Sequence, residues 1–170
     1  SILGYDSNAR LVSIDDPAGK GSLTINYDGS GRISKLTDWT NRIVNYGYDG
    51  SGRLITVTDR EGKVTTYNYD GTSQRITSIK DARNNIVVTN TYDTQGRIAT
   101  QKDAKGLTTG QQTTLTYNTN ADNTKTTIVT YPKTSAEPTW SFVEEDTYDT
   151  QGKIIKKVSK PVANSANWIT

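Results

Sequence analysis

A Tyr-Asp pair recurs along this chain, at Tyr5-Asp6, Tyr27-Asp28, Tyr48-Asp49, Tyr69-Asp70, Tyr92-Asp93 and Tyr148-Asp149, with Tyr117-Asn118 as a degenerate copy. The steps between successive Tyr residues are 22, 21, 21, 23, 25 and 31. A period near 21 over most of a chain points to one supersecondary unit repeated and packed against its neighbours. Halfway between the pairs stands a second Asp, at Asp16, Asp38, Asp59, Asp81 and Asp103. Eleven of the 14 Asp residues therefore begin a unit of about 10 to 12 residues, and in nine of them the third residue on is Gly or Asn. Those two residue types tolerate the left-handed backbone that closes a type I turn with a bulge. The Asp carboxylate can also accept a backbone N–H two residues on, which favours turning.

The segments between the turns read as strands. Leu23, Ile25 and Tyr27 alternate with polar residues, as do Val44, Tyr46 and Tyr48, and then Tyr67 and Tyr69. Leu11/Ile14, Ile33/Leu36, Leu54/Val57 and Ile76/Ile79 are spaced by three, and a bulge just after the turn restores their parity. Composition agrees: Asp outnumbers Glu 14 to 4, the reverse of what helices favour. Thr113 to Tyr117 and Lys125 to Tyr131 form a longer hairpin around residues 118–123, followed by an inserted loop from Pro132 to Pro138. Residues 160–167 read as a departure from the sheet. The whole chain, 1–170, is expected to be a single repeat array, regular to about residue 106 and degenerate at 113–139.

The best copies are Tyr27-Asp28-Gly-Ser-Gly31-Arg32-Ile33 and Tyr48-Asp49-Gly-Ser-Gly52-Arg53-Leu54. Tyr69-Asp70 is followed by a slipped version, and Tyr92-Asp93-Thr-Gln-Gly96-Arg97-Ile98 and Tyr148-Asp149-Thr-Gln-Gly152-Lys-Ile154 are later copies. These residues resemble the YD-repeat, or Rhs-repeat, family over nearly the whole chain. The resemblance implies an all-β fold, a strip of antiparallel hairpins that forms part of a spiralling β-sheet shell. It also implies a scaffold role in a large secreted or cell-surface protein, such as a bacterial polymorphic toxin, a toxin-complex cocoon subunit, a wall-associated protein or a teneurin-like shell. Expected partners are further YD repeats of the same parent chain, an encapsulated toxin or effector segment, or a surface glycan. The absence of Met makes a piece of a longer chain the expectation.

Several chemistries are disfavoured. Cys and His are both absent, which removes disulfides, Cys/His metal sites, thiol nucleophiles and imidazole bases. No apolar run approaches the roughly 18 residues of a membrane span, and Ser1 opens no signal peptide. A net charge of +2 gives no strong pull toward nucleic acid or acidic lipid. Gly29-Ser-Gly31 and Gly50-Ser-Gly52 lack the Lys and the helix of a phosphate loop. Asp16-Pro17-Ala18-Gly19 resembles a self-cleavage motif of toxin-bearing relatives, but it falls on the ordinary turn comb and reads as a turn. Neither cofactor, metal nor enzymatic activity is expected.

Three features remain as candidates. Arg10, Lys20, Arg32, Arg42, Arg53, Lys63, Arg97 and Lys153 follow their turns and read as cations screening their own Asp rather than as a ladder for polyanions. Trp39 stands at a turn tip, where an indole either folds back over its own hairpin or contacts a sugar or receptor. The rival to the scaffold is accordingly a carbohydrate- or receptor-binding adhesin module. Glu144-Glu145-Asp146 reads as a solvated strand end, and Trp140 and Phe142 as covering one sheet face.

Overall fold

The computed structural model describes residues 1–133 and 140–163. Two compact units divide at Asn85 and Ile86. The first is a meander of eight strands: β1 (Ile2–Tyr5), β2 (Leu11–Asp15), β3 (Ser22–Tyr27), β4 (Ile33–Thr37), β5 (Ile43–Tyr48), β6 (Leu54–Thr58), β7 (Val64–Tyr69) and β8 (Ile76–Lys80). Each strand pairs antiparallel with the next. The second holds β9 (Ile86–Tyr92), β10 (Ile98–Asp103), α1 (Ala104–Thr109), β11 (Thr113–Thr119), β12 (Lys125–Thr130), β13 (Trp140–Tyr148) and β14 (Ile154–Ala163). Its strands also pair antiparallel in sequence order.

The odd spacing after each Tyr-Asp turn is absorbed by a one-residue register shift. Asn26 pairs with Lys35 but Tyr27 with Ile33, and Gly47 pairs with Thr56 but Tyr48 with Leu54. Beyond the shift, Ile25, Leu36 and Val44 lie opposite one another, as do Tyr46, Val57 and Thr65. One face of the first unit is therefore aliphatic and Tyr-rich, and it includes Tyr27, Tyr48 and Tyr69. The other carries Thr24, Asn26, Lys35, Asn45, Thr56 and Thr66. Among the described residues the buried hydrophobic side chains are those of Ile25 and Val143, each at 7% exposure, and no large side chain is wholly buried. Stability must come from ladders and lateral side-chain contacts between hairpins rather than from a deep core.

The turns follow the Asp comb. At Asp28, its N–H donates to the Arg32 carbonyl at 2.8 Å and the Gly31 N–H donates back to the Asp28 carbonyl at 3.0 Å, with Gly31 at φ 78°. Asn41 and Asn84 fill the same left-handed position at φ 60° and 64°. Asp16-Pro17-Ala18-Gly19 is one of these turns, the Gly19 N–H donating to the Asp16 carbonyl at 2.9 Å.

Four expectations need correction. Asp103 does not open a turn; its carboxylate accepts the Gly106 N–H at 2.7 Å and caps α1, which ends at Gly110 with φ 76°. The chain after Lys160 does not leave the sheet at once, because β14 continues to Ala163 with Pro161 paired to Phe142. Pro161 needs no partner for an N–H on a strand that pairs, among the described residues, only with β13. Glu144, Glu145 and Asp146 are no strand end either; they lie within β13. Glu144 accepts the Tyr131 hydroxyl at 3.0 Å, Glu145 pairs with Lys160 at 2.9 Å, and Asp146 pairs with Lys157 at 3.1 Å. Finally, Trp39 does not fold over its own hairpin, as described below. Most of the inserted loop (134–139), the end of the chain (164–170) and the side chain of Trp140 lie outside the described residues.

Candidate functional site

The geometry repeated through the first unit lies along the edge formed by its Tyr-Asp turns, and it begins with the Asp. Asp28 Oδ1 accepts the Ser30 and Arg32 backbone N–H groups, both at 2.9 Å. Its Oδ2 takes the Arg32 Nε and terminal guanidinium nitrogen, both at 2.7 Å. Asp6 holds Arg10 in the same fork, as Asp93 holds Arg97 in the second unit, and Asp49 holds Arg53 through its backbone N–H and Nε. The backbone N–H four residues on and the Arg fork together keep the Asp28 carboxyl below the ordinary carboxylate range. The same shift holds at Asp6, Asp49 and Asp93, where the backbone bond is again the leading cause.

Fixed this way, each guanidinium is presented to the Tyr of the following repeat. Arg10 lies 4.6 Å over the Tyr27 ring, Arg32 4.4 Å over Tyr48, and Arg53 4.8 Å over Tyr69. The hydroxyl of that Tyr then donates to the carbonyl of the residue just after the Arg. Tyr27 donates to Leu11 at 2.8 Å, Tyr48 to Ile33 at 2.7 Å and Tyr69 to Leu54 at 2.7 Å. In the second unit Arg97 lies 4.1 Å over Tyr117, whose hydroxyl donates to Ile98 at 2.9 Å. An Arg-Leu or Arg-Ile dipeptide thus grips the Tyr ring and hydroxyl of the next repeat. Burial pushes the Tyr69 and Tyr117 phenols above their ordinary range, against the opposing field of the nearby Arg.

Tyr117 keeps this clamp although Asn118 replaces the usual Asp, so the Tyr outlasts its motif partner. The next link is altered at both ends. Asn120 and Thr124 stand where the preceding turn has Asp93 and Arg97, and the Thr124 hydroxyl accepts from the Asn120 amide at 2.8 Å. Tyr148 follows that neutral pair, and the turn at Asp149 binds the Lys153 backbone N–H at 2.9 Å with Gly152 at φ 83°. Gly96, in the turn that holds Arg97, has φ 77°.

Asp70 departs in another way. Its turn is one residue longer, with the Asp70 N–H donating to the Arg75 carbonyl and the left-handed position moved to Gly71 at φ 49°. Arg75 still binds Asp70, at 2.9 Å. Arg53 reaches over to this turn and donates to the Gly71 and Ser73 carbonyls, both at 2.7 Å. Tyr92 pairs with Ile98 at the register shift of β9 and β10.

Among the described residues the opposite edge of the first unit shows no equivalent clamp. Asp38 accepts from the Arg42 Nε, and although desolvation is the strongest single influence on its carboxyl, the Thr40 hydroxyl and the Arg42 and Thr40 backbone N–H groups together lower its pKa. Lys63 pairs instead with Glu61, and Asn85 occupies the cation position after Asp81. Treating all the cations as one set obscured this division. The missed signal was the hydrophobic residue after each Arg and its 15 to 19 residue distance from the next Tyr.

Trp39 lies flat on Gly21 of the neighbouring turn, where an added Cβ would come within 2.8 Å of the indole. Its other side is open, the residue being 63% exposed, and Arg42 is 6.0 Å from the ring. Ile14, Asp15, Asp16, Lys20 and Leu23 complete an open cleft of about 390 Å³ beside it. Among the described residues no cluster of His, Cys, Asp or Glu could hold a metal, and no helix is long and apolar enough to cross a membrane.

The family model described as teneurin YD-shell matches residues 1–165. No curated protein matches. Among solved structures, the chain is similar to part of a Photorhabdus luminescens Tc holotoxin pore carrying a TccC3 mutation, with TM-score 0.59, 16% identity and 94% of this chain covered. It is similar to TcdB2-TccC3 without its hypervariable C-terminal region, and to TcdB2-TccC3-Cdc42, each with TM-score 0.63, 16% identity and 98% coverage. In every one of these the chain spans 9% of the longer chain it matches.

Proposed function

Because the chain belongs to the teneurin YD-shell family, we propose that it serves as a length of shell wall, without catalysis, in a secreted or cell-surface protein whose shell encloses or presents a toxin or effector segment. A scaffold role is what the family and fold supply. The single observation that carries the proposal is the clamp that joins each repeat to its successor. Arg32 and Ile33 hold Tyr48, and Arg53 and Leu54 hold Tyr69 in the same manner. Such a chain of repeated links extends a wall and spends the Asp and Arg side chains of its Tyr-Asp turns on holding it together. The likeness to toxin-complex chains supports a toxin or effector as the cargo. The parent would carry this stretch among further repeats of the same kind.

The test is electron microscopy of the longest natural polypeptide that contains this sequence, joined to limited proteolysis. A hollow shell with a protease-protected internal segment sustains the proposal. An open strip with no protected segment removes the enclosing role.

A second reading, a glycan-binding surface, is favoured by one observation only, the open indole of Trp39 beside the Asp15, Asp16 and Lys20 cleft. An aromatic face flanked by polar groups suits a sugar ring. Binding on a glycan array that disappears in Trp39→Ala supports it, and an array without signal discards it.

A further inference from the structure

The chain contains three Asp-Gly sequences, Asp28-Gly29, Asp49-Gly50 and Asp70-Gly71, all in Tyr-Asp turns. Glycine after Asp leaves the backbone nitrogen uncrowded by a side chain, so it can approach the Asp carboxyl. The Gly nitrogen can then bond to Cγ of the Asp. The carboxyl takes a proton from solvent, its C–O bond breaks, and the hydroxyl leaves as water with the amide proton, closing a succinimide ring. Addition of water to either ring carbonyl reopens it, giving Asp again or isoaspartate, whose main chain runs through Cβ and Cγ. The sequence consumes and returns one water and needs no oxidant, reductant or catalyst.

The three sites have the same reacting atoms but differ in what holds the carboxylate. Asp28 receives two backbone N–H groups, from Ser30 and Arg32, and the Arg32 fork. Asp49 receives those of Ser51 and Arg53, and the Arg53 Nε at 2.7 Å. Both side chains are about four-fifths shielded, at 23% and 20% exposure. Among the described residues the Asp70 carboxylate is bound through Oδ2, by Arg75 Nε at 3.2 Å and the terminal nitrogen at 2.9 Å. The extra residue in its turn carries the Arg75 N–H away to the Ser73 hydroxyl, at 3.1 Å. Its side chain is 49% exposed. Ring closure requires the carboxyl to leave its hydrogen bonds and rotate onto the following nitrogen. At Asp28 and Asp49 this breaks two charge-assisted backbone bonds as well as the Arg side-chain contact; at Asp70 it breaks the Arg contact alone.

We propose that Asp70-Gly71 is a site of spontaneous isoaspartate formation, while Asp28-Gly29 and Asp49-Gly50 are protected by their turns. Conversion at Asp70 lengthens the turn backbone and moves the carboxylate off Arg75. It also disturbs the Gly71 and Ser73 carbonyls to which Arg53 donates, so the lesion reaches the link between adjacent repeats.

The experiment ages the intact 170-residue chain at 37 °C and mildly acidic pH, with a parallel sample held unfolded in guanidinium. Trypsin separates the three sites into peptides 21–32, 43–53 and 64–75, and isoaspartate in each is measured by methyltransferase labelling and mass spectrometry. In the native sample, peptide 64–75 should accumulate isoaspartate about tenfold faster than either of the others, the scale expected when two further charged bonds need not be broken. In the unfolded sample the three rates should converge. Native rates within about twofold of one another overturn the proposal. So does an unfolded sample that keeps the native ranking, because sequence rather than turn geometry would then be its cause.

Discussion

The Arg32 guanidinium lies 4.4 Å over the ring of Tyr48, a residue of the next repeat, while Asp28 of its own turn holds it from behind. The pair couples a local turn to a non-local strand contact. The Tyr48 hydroxyl completes it by donating to Ile33. Tyr48→Phe keeps the ring and loses that bond, and should destabilise the chain by about 1 kcal/mol. A separate cycle of Tyr48→Leu, which removes the ring, with Arg32→Ala should return a coupling of about 0.5–1 kcal/mol, the range of a partly exposed cation–π contact. Urea titration of the parent and these variants checks both figures, and zero coupling in the cycle would reduce the stack to mere proximity.

Gly52 and Gly50 belong to one turn yet should respond differently. Gly52 has φ 83°, and a Cβ there would lie 3.1 Å from the Arg32 guanidinium, whereas a Cβ at Gly50 meets nothing within 4 Å. Gly52→Val should cost at least about 1–2 kcal/mol from backbone handedness alone. Gly50→Ala should stay within about 0.5 kcal/mol of the parent. Equal shifts in the denaturation midpoint would contradict the turn geometry.

Ala9 occupies the left-handed position that Gly or Asn fills in most other turns, with φ 59°. A residue with a Cβ is strained there, so Ala9→Gly should stabilise the first hairpin, by up to about 1 kcal/mol after the entropy cost of Gly. Hydrogen exchange of β1 and β2 is the measurement, with slower exchange in the variant as the expected result.

Acid should loosen the Tyr-Asp edge. The Asp6, Asp28, Asp49 and Asp93 carboxyls are lowered by backbone N–H donation and the Arg side chain. A lowered folded-state pKa contributes stability above the unfolded value of about 3.9, and that contribution is lost as pH falls through the folded value. Denaturation midpoints should therefore hold from neutrality to about pH 4 and then drop. Asp28→Asn should start lower and fall less steeply. At the alkaline end the raised phenols of Tyr69 and Tyr117 act in the opposite sense. Their contribution is complete below about pH 10 and is lost above it as the hydroxyls that donate to Leu54 and Ile98 ionise.

Strands and turns were readable because their signals are local. Asp28 and Gly31 sit three residues apart, and both the carboxylate acceptor and the left-handed carbon act within that span. The three-residue spacing of Ile33 and Leu36 likewise encodes the register shift at Tyr27. The clamp was not readable from the same pattern. Arg32 has an adequate partner in Asp28, and nothing within its own repeat shows that its free face meets Tyr48. Asp103 misled for a related reason: the carboxylate accepts a nearby N–H both in a turn and as a helix cap. The choice fell to Gly106, whose added Cβ would collide with the Gln111 carbonyl in the chain that follows. Trp39 was placed on the wrong neighbour because the space left by Gly21 is a gap in another hairpin.

Each repeat in the regular stretch ends in a grip, Arg32-Ile33 or Arg53-Leu54, and offers its own Tyr to the grip before it. A duplication of one whole period in the gene would copy one grip together with one Tyr. The new copy would take the old Tyr, its own Tyr would be taken in turn, and no side chain elsewhere would need to change. Loss of a whole period would be equally silent. Inheritance can thus vary the number of repeats without refitting the residues within any one of them.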